Sequence, residues 1–186
     1  RHQIELIARN QYMNNGENNP YNCFIFYMAM RKLKVVIGLW KNAVWHPERA
    51  KMLNFLDHDF NEPRWQKAAL KNAFALLSKR RFENAVGFFL LGDRLFDAVN
   101  VCLKQLNDVQ LAITICRLYE GDDSEVLRDL YVNYLLPQAI NNNDRWLANH
   151  VFSFLNDREN TLQSIFVNIS FPPFLLLLLL LLFSIV

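Results

Sequence analysis

The sequence predicts an all-α protein: a stack of short antiparallel helix hairpins, α-solenoid-like, with a loop-like N-terminus and a polyleucine C-terminus that does not conform to the rest. Three observations predict it. From Asp59 to Asp122 apolar residues recur at helical spacing, broken only by short turns. Within that stretch Ala85-Val86 returns as Ala98-Val99, and Ala112-Ile113 follows, at steps of 13 and 14 residues, one short helix plus one turn. Five glycines and six prolines are too few for a turn-rich β fold of 186 residues. Stacked short helices build surfaces that hold other proteins and seldom build active sites. The pattern points to a scaffold.

Residues 1–20 are polar and asparagine-rich, close with Pro20, and read as a loop or frayed edge. From Cys23 to Trp40 the run CFIFYMAMRKLKVVIGLW reads as one buried helix, since it is long and keeps Met, Ala, Leu and Lys. Arg31, Lys32 and Lys34 exclude a membrane span there. Pro47 suits the first turn of a short helix through Phe55 and Leu56, where its missing N–H costs nothing. Pro63 plays the same part for a helix whose core stripe is Ala69, Leu70, Ala73, Phe74 and Leu77.

Helices are predicted over 82–91, 94–106, 108–120, 124–140, 144–156 and 158–166. Gly92 is expected in the left-handed C′ conformation with Asp93 capping the next helix. Asn107 with Gln110, and Asp122 with Glu125 after Gly121, resemble capping boxes. Turns this tight force neighbouring helices antiparallel. Ala85, Ala98 and Ala112 are expected at the closest approaches, with Phe88, Phe89, Leu103, Ile115 and Leu118 filling the space between layers.

Composition narrows the function. A hydrophobic fraction of 52% excludes disorder as the main state. A net charge of +2 is too balanced for nucleic-acid binding, which needs a clustered basic face. The compact basic cluster Lys79-Arg80-Arg81 falls at a turn, where its charges stay solvated. Three cysteines, Cys23, Cys102 and Cys116, form no C-x-x-C pair, and their odd number fits a reducing cytosolic setting. Cys102 and Cys116 fall on apolar helix faces, where a thiol acts as a small hydrophobe.

No enzyme is predicted. His2, His46, His58 and His150 form no two-ligand helical pair, and no phosphate-cradling loop or nucleophile elbow is present. Asp57-His58-Asp59 is the compact polar cluster, but adjacent residues on a helix diverge, so it reads as a solvated helix end rather than a metal site. The carboxylates Glu62, Glu83, Asp93, Asp97 and Asp108 fall mostly at helix starts, where the helix dipole favours them. No catalytic, cofactor or metal residue is assigned. Trp40, Trp45, Trp65 and Trp146 suit either a partner interface or the filling of a helical core.

The end of the chain, VNISFPPFLLLLLLLLFSIV, changes character. Phe174 to Val186 is 13 residues, about 20 Å as a helix against a hydrocarbon core of roughly 30 Å. Pro172 and Pro173 block its extension and no Lys or Arg flanks it. It is expected to lie outside the fold, as sequence read past an exon boundary, with a tail anchor as the alternative. Asn168-Ile169-Ser170 matches a glycosylation acceptor, a three-residue pattern that is common by chance.

Several long motifs carry a family resemblance: GLWKNAVWHPE, the DFNEPRW junction, KNAFALLSKRRFENAVGFFLLGD, DAVNVCLKQLNDVQLAITICRLYEGD and NDRWLANHVFSFL. Together, from about Phe24 to Phe166, they resemble the rabconnectin/DmX-like family, which includes the large subunit of the fungal RAVE complex. The resemblance implies part of the helical region that follows the WD-repeat propellers of those proteins, and so a fragment. It also implies a non-catalytic assembly factor for the V-ATPase that promotes association of V1 with the membrane sector, and so vacuolar and endosomal acidification. Expected partners are V1 subunits and a second WD-repeat or RAVE partner, with no cofactor and no nucleic acid. Expected localisation is cytoplasmic, peripheral on endosomal, vacuolar or synaptic vesicle membranes through those partners; a membrane-anchored trafficking adaptor using the apolar tail is the alternative. The predicted organisation is a polar edge at 1–20, a helical region at 21–166 and a tail at 167–186. The exposed helix-turn edges at Lys79, Arg80, Arg81 and Arg94 are the candidate interaction residues.

Overall fold

Short helices and the turns between them organise the residues described by the computed structural model, 1–16 and 18–156. The expected helix at 158–166, the acceptor at Asn168 and the polyleucine run lie outside the described residues. All regular structure among the described residues is helical. Two compact units divide it, one over Arg1–Val126 and one from Leu127 onward.

The first unit opens on α1 (His2–Met13), which corrects the expected N-terminal loop. Ala8, fully buried, seats this helix on α2 (Pro20–Ala29), so packing overrides the polar composition. The predicted single helix from Cys23 to Trp40 is two helices, α2 and α3 (Leu33–Asn42). Arg31 breaks it by adopting a left-handed φ of 58°. Pro47 lies in the turn before α4 (Arg49–Leu56), short of the first helical turn. Pro63 does begin α5 (Pro63–Ser78). On α5, Ala69 and Ala73 are buried, whereas Phe74 is 57% exposed and meets the core edge-on through Phe89, ring centroids 5.2 Å apart.

At the centre is α6 (Phe82–Leu91), buried continuously from Ala85 to Leu91. It packs on α5, on α2 and on α7 (Leu95–Val101), and α2 also reaches α8 (Val109–Tyr119). Ala85, Ala98 and Ala112 are all fully buried, as expected of positions where helices approach closely. Phe88, Phe89, Ile115 and Leu118 are buried with them, while Leu103 is half-buried.

Most of the hairpin turns share one conformation. Arg31, Arg80, Asp93 and Asn143 each take a left-handed φ between 53° and 58°, directly before a capping residue and the next helix. Two hydrogen bonds close each turn, the longer one spanning five residues: Lys32 to Tyr27, Arg81 to Leu76, Arg94 to Phe89 and Asp144 to Ala139. These are Schellman closures, which satisfy the carbonyls that a helix end orphans. The left-handed residue after α6 is therefore Asp93 and not Gly92, whose φ is −86°. Arg94, without a side-chain cap, takes the N-cap position predicted for Asp93.

After α7 the chain widens into a π-helical turn, Cys102–Leu106, and the closing bond runs six residues, from Asp108 N–H to the Cys102 carbonyl. Asn107 is the left-handed residue here, φ 52°, and Asp108 is the cap, accepting from Leu111 N–H at 2.9 Å. Asp122 does not cap; it pairs with Arg117 at 3.0 Å, and α9 (Glu125–Asp129) begins later.

In the second unit a π-helical segment, Leu130–Leu135, continues α9 and leads to α10 (Leu136–Asn141). α11 (Arg145–Phe154) is capped by Asp144, which accepts from Leu147 N–H at 3.0 Å. Tyr131, Val151 and Phe152 are fully buried or nearly so, and Tyr131 stacks on Phe154 at 4.1 Å.

Candidate interaction surface

The four expected interaction residues fall at opposite ends of α6. Lys79 and Arg80 are exposed in the turn before it, Arg81 is half-buried beside them, and Arg94 lies past its far end. Ten residues of helix separate the two groups, about 15 Å. Arg94 is occupied locally, its Nε donating to Asp97 at 2.8 Å. Arg81 sits over the Tyr21 ring at 4.6 Å and reaches Glu48 at 3.9 Å. Tyr21 in turn donates its hydroxyl proton to Glu48 at 2.6 Å. Burial, then that hydrogen bond, raises the Tyr21 pKa.

This cluster closes one end of a cleft of about 300 Å³ between α4 and α5. Glu48, Lys51, Met52 and Phe55 line it from the α4 side, at the i, i+3, i+4, i+7 spacing of one helical face. Asn72, Ala75, Leu76 and Lys79 line it from α5 at the same spacing. Phe88 of α6 is the floor, in contact with Phe55 at 5.8 Å between ring centroids. The stripe expected on α5, Ala69, Leu70, Ala73, Phe74 and Leu77, is a different face of that helix from the one that lines the cleft.

A second cavity of about 300 Å³ lies by the other end of α6. There Arg31 stacks on the Tyr119 ring at 3.8 Å and faces Asp93 at 3.5 Å. The Tyr119 hydroxyl shares its proton between the Leu90 carbonyl and Asp93, both at 2.7 Å. Burial raises the Tyr119 pKa, and the Asp93 hydrogen bond adds to it. His58 and Asp59 also line this cavity, yet His58 stacks on Trp65 at 3.4 Å and Asp59 accepts from Asn61. Asp57 ends α4. No group of three His, Cys, Asp or Glu side chains among the described residues is placed to hold a metal ion.

The three thiols are buried, and burial pushes each to about 12. Such thiols are neutral and unreactive at ordinary pH. Of the tryptophans, Trp40 is fully buried between Tyr21 and His46, whereas Trp45 and Trp146 are exposed.

The RAVE protein 1 C-terminal family matches residues 1–171. The chain belongs to that family. Among relatives, it is 45% identical over 88% of its length to "Regulator of V-ATPase in vacuolar membrane protein 1" of Saccharomyces cerevisiae and 43% identical over 86% to the Schizosaccharomyces pombe protein of that name. It is 49% identical over 64% of its length to mouse DmX-like protein 1. The resemblance carried by the sequence motifs is thereby established. The chain spans 12% of each fungal relative and 4% of the mouse one, a small part of much longer proteins. The RAVE protein 1 C-terminal match also takes in α1, which the motif resemblance, starting near Phe24, left out.

Proposed function

We propose that this RAVE protein 1 C-terminal segment is a non-catalytic scaffold of a V-ATPase assembly factor, helping V1 join the membrane sector and so acidify vacuoles and endosomes. The observation that carries this is the 45% identity, over 88% of the chain, to a protein named as a regulator of V-ATPase. The fold supports it physically. Short helices joined by Schellman turns present fixed surfaces, and the tyrosine–carboxylate pairs of the two cavities, Tyr21 with Glu48 and Tyr119 with Asp93, are engaged with each other rather than converging on open space. V1 subunits and a second RAVE subunit are the proposed partners, with Lys79, Arg80, Arg81 and Arg94 on the edges offered to them. Membrane association is then peripheral, through those partners; no helix among the described residues is long and apolar enough to cross a membrane.

Purified chain mixed with purified V1 tests the proposal. Co-elution on size exclusion, weakened by charge reversal at the α6 ends, is expected. A folded chain that retains no V1 subunit at micromolar concentration would overturn it. Carbonate extraction of membranes distinguishes peripheral attachment, which releases the chain, from an anchor, which does not.

A further inference from the structure

The cleft between α4 and α5 has an apolar bed and a cationic rim. Met52, Phe55 and Leu76 supply the bed. Lys51, Lys79 and Arg81 stand around it against a single carboxylate, Glu48, which already serves Tyr21 and Arg81. Among the described residues neither lysine has an ion-pair partner. Gathering like charges around a recess lowers stability unless counter-charges arrive from outside. Both walls run for two helical turns, about 10 Å. That length suits an elongated ligand, and α4 and α5 do not pack closely enough to close the gap themselves.

We propose that this cleft binds an acidic amphipathic helical segment of a partner protein. One or two of its apolar side chains enter the bed, and its flanking carboxylates meet Lys51, Lys79 and Arg81. The geometry is that of helix-in-groove recognition with acidic anchoring. A membrane surface is disfavoured because the apolar floor is recessed between two helices, where a flat lipid face does not reach it. Lys79 and Arg81 also stand on the surface proposed for V1, so peptide binding and not V1 co-elution decides this assignment, and either result can be found without the other.

Fluorescence anisotropy of the full 186-residue chain with a panel of labelled helical peptides of about four turns tests it. The peptides carry Leu or Phe along one face and Glu elsewhere, in every register, with Lys-for-Glu and Ala-for-Leu controls. Glu/Leu peptides are expected to bind, more weakly as salt rises, and the controls are not. The double substitution Lys51→Glu, Lys79→Glu should weaken binding about tenfold or more. Ala75→Trp, which fills the cleft without changing charge, should do the same, and Lys34→Glu, on the exposed face of α3 away from the cleft, should change nothing. The proposal fails if no acidic peptide binds, if Lys-bearing peptides bind equally, or if neither the double substitution nor Ala75→Trp weakens binding. It also fails if phosphatidylserine vesicles bind the same lysines and displace the peptide, which would make the cleft a lipid contact.

Discussion

Phe24 and Gly87 meet where α2 crosses α6, and their contact sets how close the two helices come. A Cβ on Gly87 would overlap the Phe24 ring, which is fully buried and held against Phe88 at 5.2 Å. Helix propensity alone would favour alanine at Gly87 by about 1 kcal/mol. Overpacking a full core costs about 1–3 kcal/mol, and with the ring held it wins. Gly87→Ala is therefore expected to destabilise the chain by about 1–2 kcal/mol in urea titration; an unchanged midpoint would mean that the ring can swing aside. Arg80 is the opposite case. It is exposed, holds φ at 56°, and bears the strain of a left-handed side chain. Arg80→Gly should stabilise by about 0.5–1 kcal/mol, read as a higher melting temperature. A lower one would point to a contact that the Arg80 side chain makes.

At the scale of elements, the hairpin turns show what capping contributes. Asp108 and Asp144 accept backbone N–H bonds at the starts of α8 and α11, while Lys32, Arg81 and Arg94 occupy the same position without a side-chain cap. Asp108→Ala should cost about 1 kcal/mol in thermal unfolding, and the same change at Arg94 should cost far less. Equal losses would show that the turn, not the cap, carries the energy. Helix extents were readable because apolar spacing changes phase at each turn: 82–91 matches α6, and 144–156 encloses α11. Caps were misplaced by one residue after α6 and α7 because glycine and asparagine rules do not say which neighbour turns left-handed. α1 was hidden because half of its residues are polar and the asparagines in and after it read as a loop. Of the cleft, Lys79 and Arg81 were visible as charges at a turn. Glu48 and Lys51 were not: Glu48 reaches Tyr21 and Arg81 across 27 and more residues, and Lys51 joins them only as part of the folded cleft lining.

For the whole molecule, buried protons set the alkaline limit. Cys23, Cys102 and Cys116 move from 9.0 to about 12 on folding, and Tyr21 and Tyr119 also move up. The unfolded chain releases these protons first, so unfolding releases protons above pH 9 and is favoured as pH rises. Their contribution is complete below about pH 9 and is lost progressively towards about pH 12. Urea midpoints should thus fall steadily across that range, and Cys102→Ala with Cys116→Ala should flatten the fall. A profile unaltered by the double change would assign the limit to Cys23 and the tyrosines. The π-helical turn at Cys102–Leu106 has its own consequence for the length of the chain. Helix starts at Phe82, Leu95 and Val109 stand 13 and then 14 residues apart, and the wider turn holds the additional residue. A shorter sequence can therefore occupy the same architecture. Deleting the exposed Lys104 should tighten the turn to ordinary α-helix and leave a cooperative folding transition, whereas deleting Phe88 from α6 should abolish it.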